Sequence, residues 1–162
     1  YHYYMRQNFF DDTDIQNWNT YILDGMGNEL LECSSFDVQL KRLGAIDLQV
    51  LGLGHNGHIG FNEPSDAFIL DTHKVLLSES TKEANKRFFF DRETVPDSAY
   101  TVGIRPIMTA KCVMLMVSGK EKSEILYRAL NEPMITPRIP ASILQLHQNL
   151  IVVADEDALS CF

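Results

Sequence analysis

The chain has 162 residues, a formal net charge of −8 at pH 7 and 45% apolar residues, which favours one domain with a packed core. The acidity, with no run of Lys or Arg, excludes nucleic acid and membrane surfaces as expected partners. No apolar run approaches the ~18 residues of a transmembrane helix, and the first residues do not read as a secretory leader. The three cysteines, Cys33, Cys112 and Cys161, are odd in number, widely spaced and without C-x-x-C pairing. They read as small buried hydrophobes of a reducing compartment, hence a cytoplasmic protein.

Tyr1, Tyr4, Met5 and Phe9 have helical spacing. Residues 11–27 read as loop with one short strand, Tyr21-Ile22-Leu23. Asn28 is a candidate N-cap for a helix whose face is Leu30, Cys33, Phe36, Leu40 and Leu43, with Gly44 where a C′ glycine belongs. A strand is expected over residues 45–53 and another over 72–78. Ser80, with Glu83 three residues on, has capping-box spacing for a helix over 81–90. Residues 91–96 break that helix, and 98–108 stay ambiguous because Gly103 and Pro106 interrupt them. Residues 112–117 and 150–154 read as buried parallel strands. A helix over 122–130 lies between them, followed by a proline-rich loop over 131–140 and a short helix over 141–147. Strands alternate with helices, so the expected class is α/β: one Rossmann-like domain over residues 1–162, a largely parallel sheet flanked by helices.

The stretch with most chemical content is residues 48–64, L-Q-V-L-G-L-G-H-N-G-H-I-G-F-N-E-P. An apolar run breaks into glycines and polar groups, as where a buried strand delivers functional side chains at its carboxyl end, the ligand edge of open α/β sheets. Gly54, Gly57 and Gly60 allow positive φ and close approach of backbone to a ligand. His58 carries an imidazole, a group that can both donate and accept protons; Glu63 can fix its tautomer by charge, and Asn56 by hydrogen bond. His55 lines the pocket or faces solvent, and an i, i+3 pair with His58 on a loop is a weak metal signal. Ser118-Gly119-Lys120-Glu121-Lys122 joins a strand to a helix start, where backbone N–H groups and lysines attract phosphate, although no Walker A string is present. Arg87, in A-N-K-R-F-F-F, either reaches an anion or snorkels to water.

These segments, with A-Y-T-V-G-I at residues 99–104 and P-A-S-I-L-Q-L-H at 140–147, resemble the glucosamine-6-phosphate deaminase/isomerase family. The related 6-phosphogluconolactonases share the G-x-G-x-D-G-H core, but F-N-E-P after it is similar to the aminosugar branch. The resemblance implies conversion of glucosamine 6-phosphate and water to fructose 6-phosphate and ammonia, with no metal or organic cofactor. His58 would assist ring opening, Asn56 and Glu63 would orient and tune it, Gly54, Gly57 and Gly60 would approach the substrate, and Arg87 and Lys122 would bind its phosphate. The implied partner is a small phosphosugar, with homo-oligomerisation left open. Galactosamine 6-phosphate as substrate, or a non-catalytic sugar-phosphate-binding domain, are the alternatives.

Two departures stand out. Family members carry a Gly/Thr-rich phosphate loop and an L-D-E-Y-type segment whose aspartate moves the proton between C2 and C1, and neither occurs in these residues. The chain begins with Tyr1, so a longer protein is expected, and the 162 residues alone are expected to have little deaminase activity. Where regulated relatives carry serines and a basic pair for an N-acetylglucosamine 6-phosphate effector, this chain reads Ser65-Asp66-Ala67 and His73-Lys74-Val75. Asp66 would repel a phosphate, and no activation by that effector is expected.

Overall fold

The computed structural model describes residues 2–86, 89 and 95–162, and among them are five helices and five strands, which alternate strictly only from β2 onward. The helices are α1 (His2–Asn8), α2 (Glu29–Leu43), α3 (Glu79–Asn85), α4 (Ile104–Met108) and α5 (Ser123–Asn131). The strands are β1 (Gln49–Gly52), β2 (His73–Leu76), β3 (Ser98–Thr101), β4 (Val113–Val117) and β5 (Leu150–Ala154). Short 3₁₀ turns occur at Phe10–Asp12, Asn17–Asn19, Lys120–Lys122 and Pro140–Leu146.

β1, β4 and β5 form a parallel sheet in that order, with Leu51 beside Leu115 and Leu115 beside Val152. Side chains alternate across it. Leu51, Val113, Leu115 and Val117 point into a core shared with Ile104 and Ile107 of α4, Leu126 and Ala129 of α5, and Leu144 of the turn before β5. β2 and β3 pair antiparallel as a separate ribbon.

Local signals account for several element ends. Asn28 Oδ1 accepts the Leu31 N–H at 3.2 Å, and Gly44 ends α2 at φ +92°. Gly103 and Pro106, which obscured residues 98–108, mark a junction. Ile104 and Arg105 donate their N–H groups to the carbonyls of Ile69 and Leu70, and a Cβ on Gly103 would lie 2.3 Å from the Leu70 oxygen. Pro106 occupies the first turn of α4, where its missing N–H is not needed.

Four expectations are corrected. Tyr21-Ile22-Leu23 is not a strand, since it pairs with no other segment among the described residues. The strand expected over 45–53 is limited to Gln49–Gly52. The cap of α3 is Ser78, whose Oγ accepts the Thr81 N–H at 3.3 Å, not Ser80, which lies inside the helix. β5 is not buried: Ile151, Val152 and Val153 are exposed, because β5 is an edge strand and helices cover only one face of the sheet among the described residues. On α2, likewise, Cys33 is buried while Leu30 and Leu43 are exposed; α2 is tied down by Asp37, whose Oδ1 accepts the Thr72 hydroxyl at 2.6 Å. The expected end of α3 at residues 87, 88 and 90 lies outside the described residues. Among those described, no helix is long and apolar enough to cross a membrane.

Candidate active site

The loop after β1 folds back on itself. Leu53 bridges Ile59, the Gly54 N–H donates to the His58 carbonyl at 2.9 Å, and the Gly57 N–H donates to the Gly54 carbonyl at 3.0 Å. Gly57 turns the chain at φ +85°, and a Cβ there would lie 2.8 Å from Ile139 Cγ2, so both conformation and space demand glycine. The P-A-S-I-L-Q-L-H segment is the floor of this loop. Ala141 donates its N–H to the Gly57 carbonyl at 2.9 Å, and fully buried Ser142 accepts from Thr136 N–H and donates to Thr136 carbonyl. His147 is a strut, its Nδ1 accepting the Asn149 N–H and its Nε2 facing the Ala110 carbonyl at 3.1 Å. Downstream, buried Asn62 donates to the Ile59 and Val102 carbonyls, and Phe61 N–H donates to Thr101 Oγ1. These bonds fix the backbone that presents Glu63.

His58, Asn56 and Glu63 meet as the sequence suggests. His58 Nδ1 lies 3.6 Å from Glu63 Oε2. Asn56 Nδ2 donates to the same oxygen at 2.6 Å, while its Oδ1 accepts the His58 N–H at 3.2 Å. Glu63 Oε1 faces the backbone N–H and hydroxyl of Ser78 at 3.4 and 3.3 Å. Burial pushes the Glu63 carboxyl up, but hydrogen bonds from His58, Thr81 and Asn56 outweigh it and draw the group down to about 2. Glu63 is therefore an anion at neutral pH, held behind the imidazole. Ser78 and Thr81 carry no assignment in the sequence; the missing signal is their placement at the start of α3, beside Glu63 and His58.

His58 lines a cleft of about 720 Å³ at the carboxyl end of β1, together with Gly54, Gly60, Thr81, Ser118 and Lys122. That volume suits a small polar metabolite. Lys122 Nζ donates to the Leu53 carbonyl at 2.8 Å, which brings its ammonium to the cleft. His55 also lines the cleft while exposed to solvent. Asn56, Glu63 and Gly57 are not among the lining residues and support the wall from behind. Arg87 lies outside the described residues. Among the described residues no three His, Cys, Asp or Glu side chains gather at metal-binding spacing. In the segment 118–122, read above as attracting phosphate through backbone N–H groups and lysines, the Gly119 N–H is taken by Asp155, whose carboxylate also accepts the Ser118 hydroxyl at 2.5 Å and the Ala158 N–H at 2.8 Å.

Gly54 has a different reason from Gly57. A Cβ on it would fall 2.3–2.5 Å from three atoms of the His58 ring. The Gly54→Ala variant is expected to fold, to displace the imidazole, and to lose roughly 10²-fold in turnover, the cost of moving a reacting group by about 1 Å. Paired activity and thermal-melting measurements check this, the expected result being a large loss of the first with a small change in the second.

The region after F-N-E-P holds its charges in pairs. Asp66 is ion-paired to Arg138, Lys74 lies 3.9 Å from Glu29, and His73 Nδ1 lies 2.9 Å from the Asp71 carbonyl.

A parallel sheet with a histidine–carboxylate pair and a lysine at its carboxyl edge defines an α/β protein with a polar cleft at the ligand edge of its sheet. The chain belongs to the glucosamine-6-phosphate isomerases/6-phosphogluconolactonase family, whose model matches residues 2–153. It is 51% identical over 154 residues to a glucosamine-6-phosphate deaminase of Lachnoclostridium phytofermentans, covering 94% of this chain and 65% of that protein. It is 48% identical over 159 residues to one from Clostridium acetobutylicum, covering 98% and 66%. A solved monomeric glucosamine-6-phosphate deaminase superposes with a TM-score of 0.93 at 41% identity, over 100% of this chain and 67% of that one. The chain thus spans about 65% of the length of the curated relatives it matches.

Proposed function

We propose that this chain carries the ring-opening part of the active site of a cytoplasmic aminosugar-phosphate deaminase/isomerase, which converts glucosamine 6-phosphate and water to fructose 6-phosphate and ammonia. The observation that carries the reading is the assembly of His58 on Glu63 and Asn56, facing a cleft that Lys122 also lines. His58 takes the proton from the anomeric hydroxyl and returns it to the ring oxygen. The C1–O5 bond breaks as the C1 carbonyl forms, so proton and electron pair balance within the sugar. The Glu63 anion stabilises the imidazolium that exists between the two transfers. Lys122 supplies one cation for the phosphate, and the sequence resemblance assigns Arg87 as a second. The proton transfer between C2 and C1 is assigned to no residue of this chain.

Ammonia release by the full-length polypeptide tests the reading with glucosamine 6-phosphate and its galactosamine epimer. A higher kcat/KM for glucosamine 6-phosphate is expected. A preference for the galacto epimer, or turnover of neither, would overturn it.

A further inference from the structure

The parallel register that pairs Val117 with Ala154 brings the next residues, Ser118 and Asp155, side by side at the carboxyl edge of the sheet. Asp155 is not among the residues that line the cleft, yet its carboxylate is bonded from two directions. Ala158, buried in the core, donates its N–H to Oδ1 at 2.8 Å and so fixes the carboxylate within the turn after β5. From the other side the Ser118 hydroxyl donates to Oδ2 at 2.5 Å, and the Gly119 N–H lies 3.1 and 3.0 Å from the two oxygens. All of these distances lie within the hydrogen-bonding range, and an aspartate acceptor is ionised at neutral pH, which strengthens each bond.

We propose that Asp155 is a positioning residue for phosphate binding, holding the start of the 118–122 segment so that Lys122 delivers its ammonium to the cleft. This rests on the reading of Lys122 as a cation for the phosphate of the substrate. The linkage runs through Gly119. Its N–H goes to Asp155, and its carbonyl accepts the Lys122 N–H at 3.0 Å. The two bonds lie on either side of the Gly119 Cα and constrain both of its dihedrals, with φ at +97°. Glycine populates positive and negative φ about equally, so the backbone alone does not keep this conformation. Nor does burial hold the segment, because Ser118, Lys120 and Glu121 are exposed.

The Lys122 ammonium also donates to the Leu53 carbonyl at 2.8 Å. That bond fixes the far end of a flexible four-carbon stem, whereas Asp155 fixes where the stem begins. With the Ser118 hydroxyl and the Gly119 N–H both committed to Asp155, the segment meets an anion in the cleft with the Lys122 side chain and not with these two donors.

Asp155→Asn, Lys122→Ala and the double variant of the full-length polypeptide test this, read by KM and kcat with glucosamine 6-phosphate and by the calorimetric Kd of inorganic phosphate. Asparagine keeps the shape of the side chain but removes the charge and one acceptor oxygen. Asp155→Asn should raise KM and the phosphate Kd together by about tenfold, with kcat within about twofold, as loss of binding shared by ground and transition states predicts. In the Lys122→Ala background the same change should move both constants by less than about twofold, because the residue it acts through is gone. A merely structural role would lower the melting temperature and leave both constants unchanged. If the asparagine variant does not fold, Ser118→Ala, which removes one bond and keeps the carboxylate, should raise both constants about threefold, again only while Lys122 is present. Wild-type constants in a folded Asp155→Asn variant (or in Ser118→Ala where that variant stands in for it), or an equal rise with and without Lys122, overturn the proposal. If Lys122→Ala itself leaves both constants unchanged, the reading of Lys122 fails and the proposal falls with it; raised constants in Lys122→Ala beside wild-type constants in Asp155→Asn overturn the proposal alone. If the protein releases no ammonia, the substrate reading fails, and the phosphate Kd values decide the role of Asp155.

Discussion

Replacing His58 by glutamine lowers kcat/KM for ammonia release by about 10²–10⁴-fold, the usual contribution of a positioned general acid–base group. Glutamine keeps a side chain of similar reach and can still hydrogen-bond to Thr81 and Glu63, but it cannot accept a proton at neutral pH. The loop has no reason to collapse, because its closure depends on Gly54, Gly57 and Ala141 backbone bonds and not on the imidazole. The loss should therefore appear in kcat, with substrate affinity largely kept, since Lys122 is untouched. Steady-state kinetics checks this; equal losses in kcat and affinity would show that His58 holds substrate instead of moving protons.

The second large effect is expected at Glu63. Glu63→Gln removes the negative charge behind His58 while keeping the size of the side chain. Hydrogen bonds to charged groups contribute about 1.5–3 kcal/mol, so kcat should fall roughly tenfold to hundredfold. A stability signature accompanies it. Burial raises the Glu63 carboxyl, but the bonds from His58, Thr81 and Asn56 prevail and take it from 4.5 to about 2. Its folded value lies below its unfolded one, so its stabilising contribution is present above pH 4.5 and is lost as pH falls towards about 2. The difference in melting temperature between wild type and variant should be greatest near neutrality and should shrink through that acid window. A difference independent of pH would place the stabilisation elsewhere.

The loop after β1 was legible because its signals are local. An apolar run that ends in glycines locates β1 and its carboxyl edge, and His58, Asn56 and Glu63 lie within eight residues of one another. Asn28 and Gly44 likewise mark α2 through side-chain and backbone chemistry confined to the helix ends. What was not legible depends on contacts distant in sequence. Ser80 is marked as the cap by its spacing to Glu83, whereas Ser78 takes that role in the fold, with its N–H and hydroxyl facing Glu63, 15 residues away. Thr81 gains its place beside His58 only when α3 folds over the loop. The backbone of segment 118–122 reads as attractive to phosphate until Asp155, 36 residues beyond Gly119, takes the Gly119 N–H. Ile151 and Val153 show the limit of pattern in the other direction, since an unbroken apolar run describes a strand that can be covered on both faces and does not say that both are covered.

Opening of an aminosugar-phosphate ring by His58 is tested by the exchange rate between the α and β anomers of glucosamine 6-phosphate, read by NMR saturation transfer. Anomer exchange requires ring opening and closure alone and is independent of any later proton transfer between carbons. The wild-type protein should accelerate the exchange well above the buffer rate, and the Glu63→Gln variant should do so more weakly. Exchange at the buffer rate with wild-type protein and saturating substrate would contradict the account.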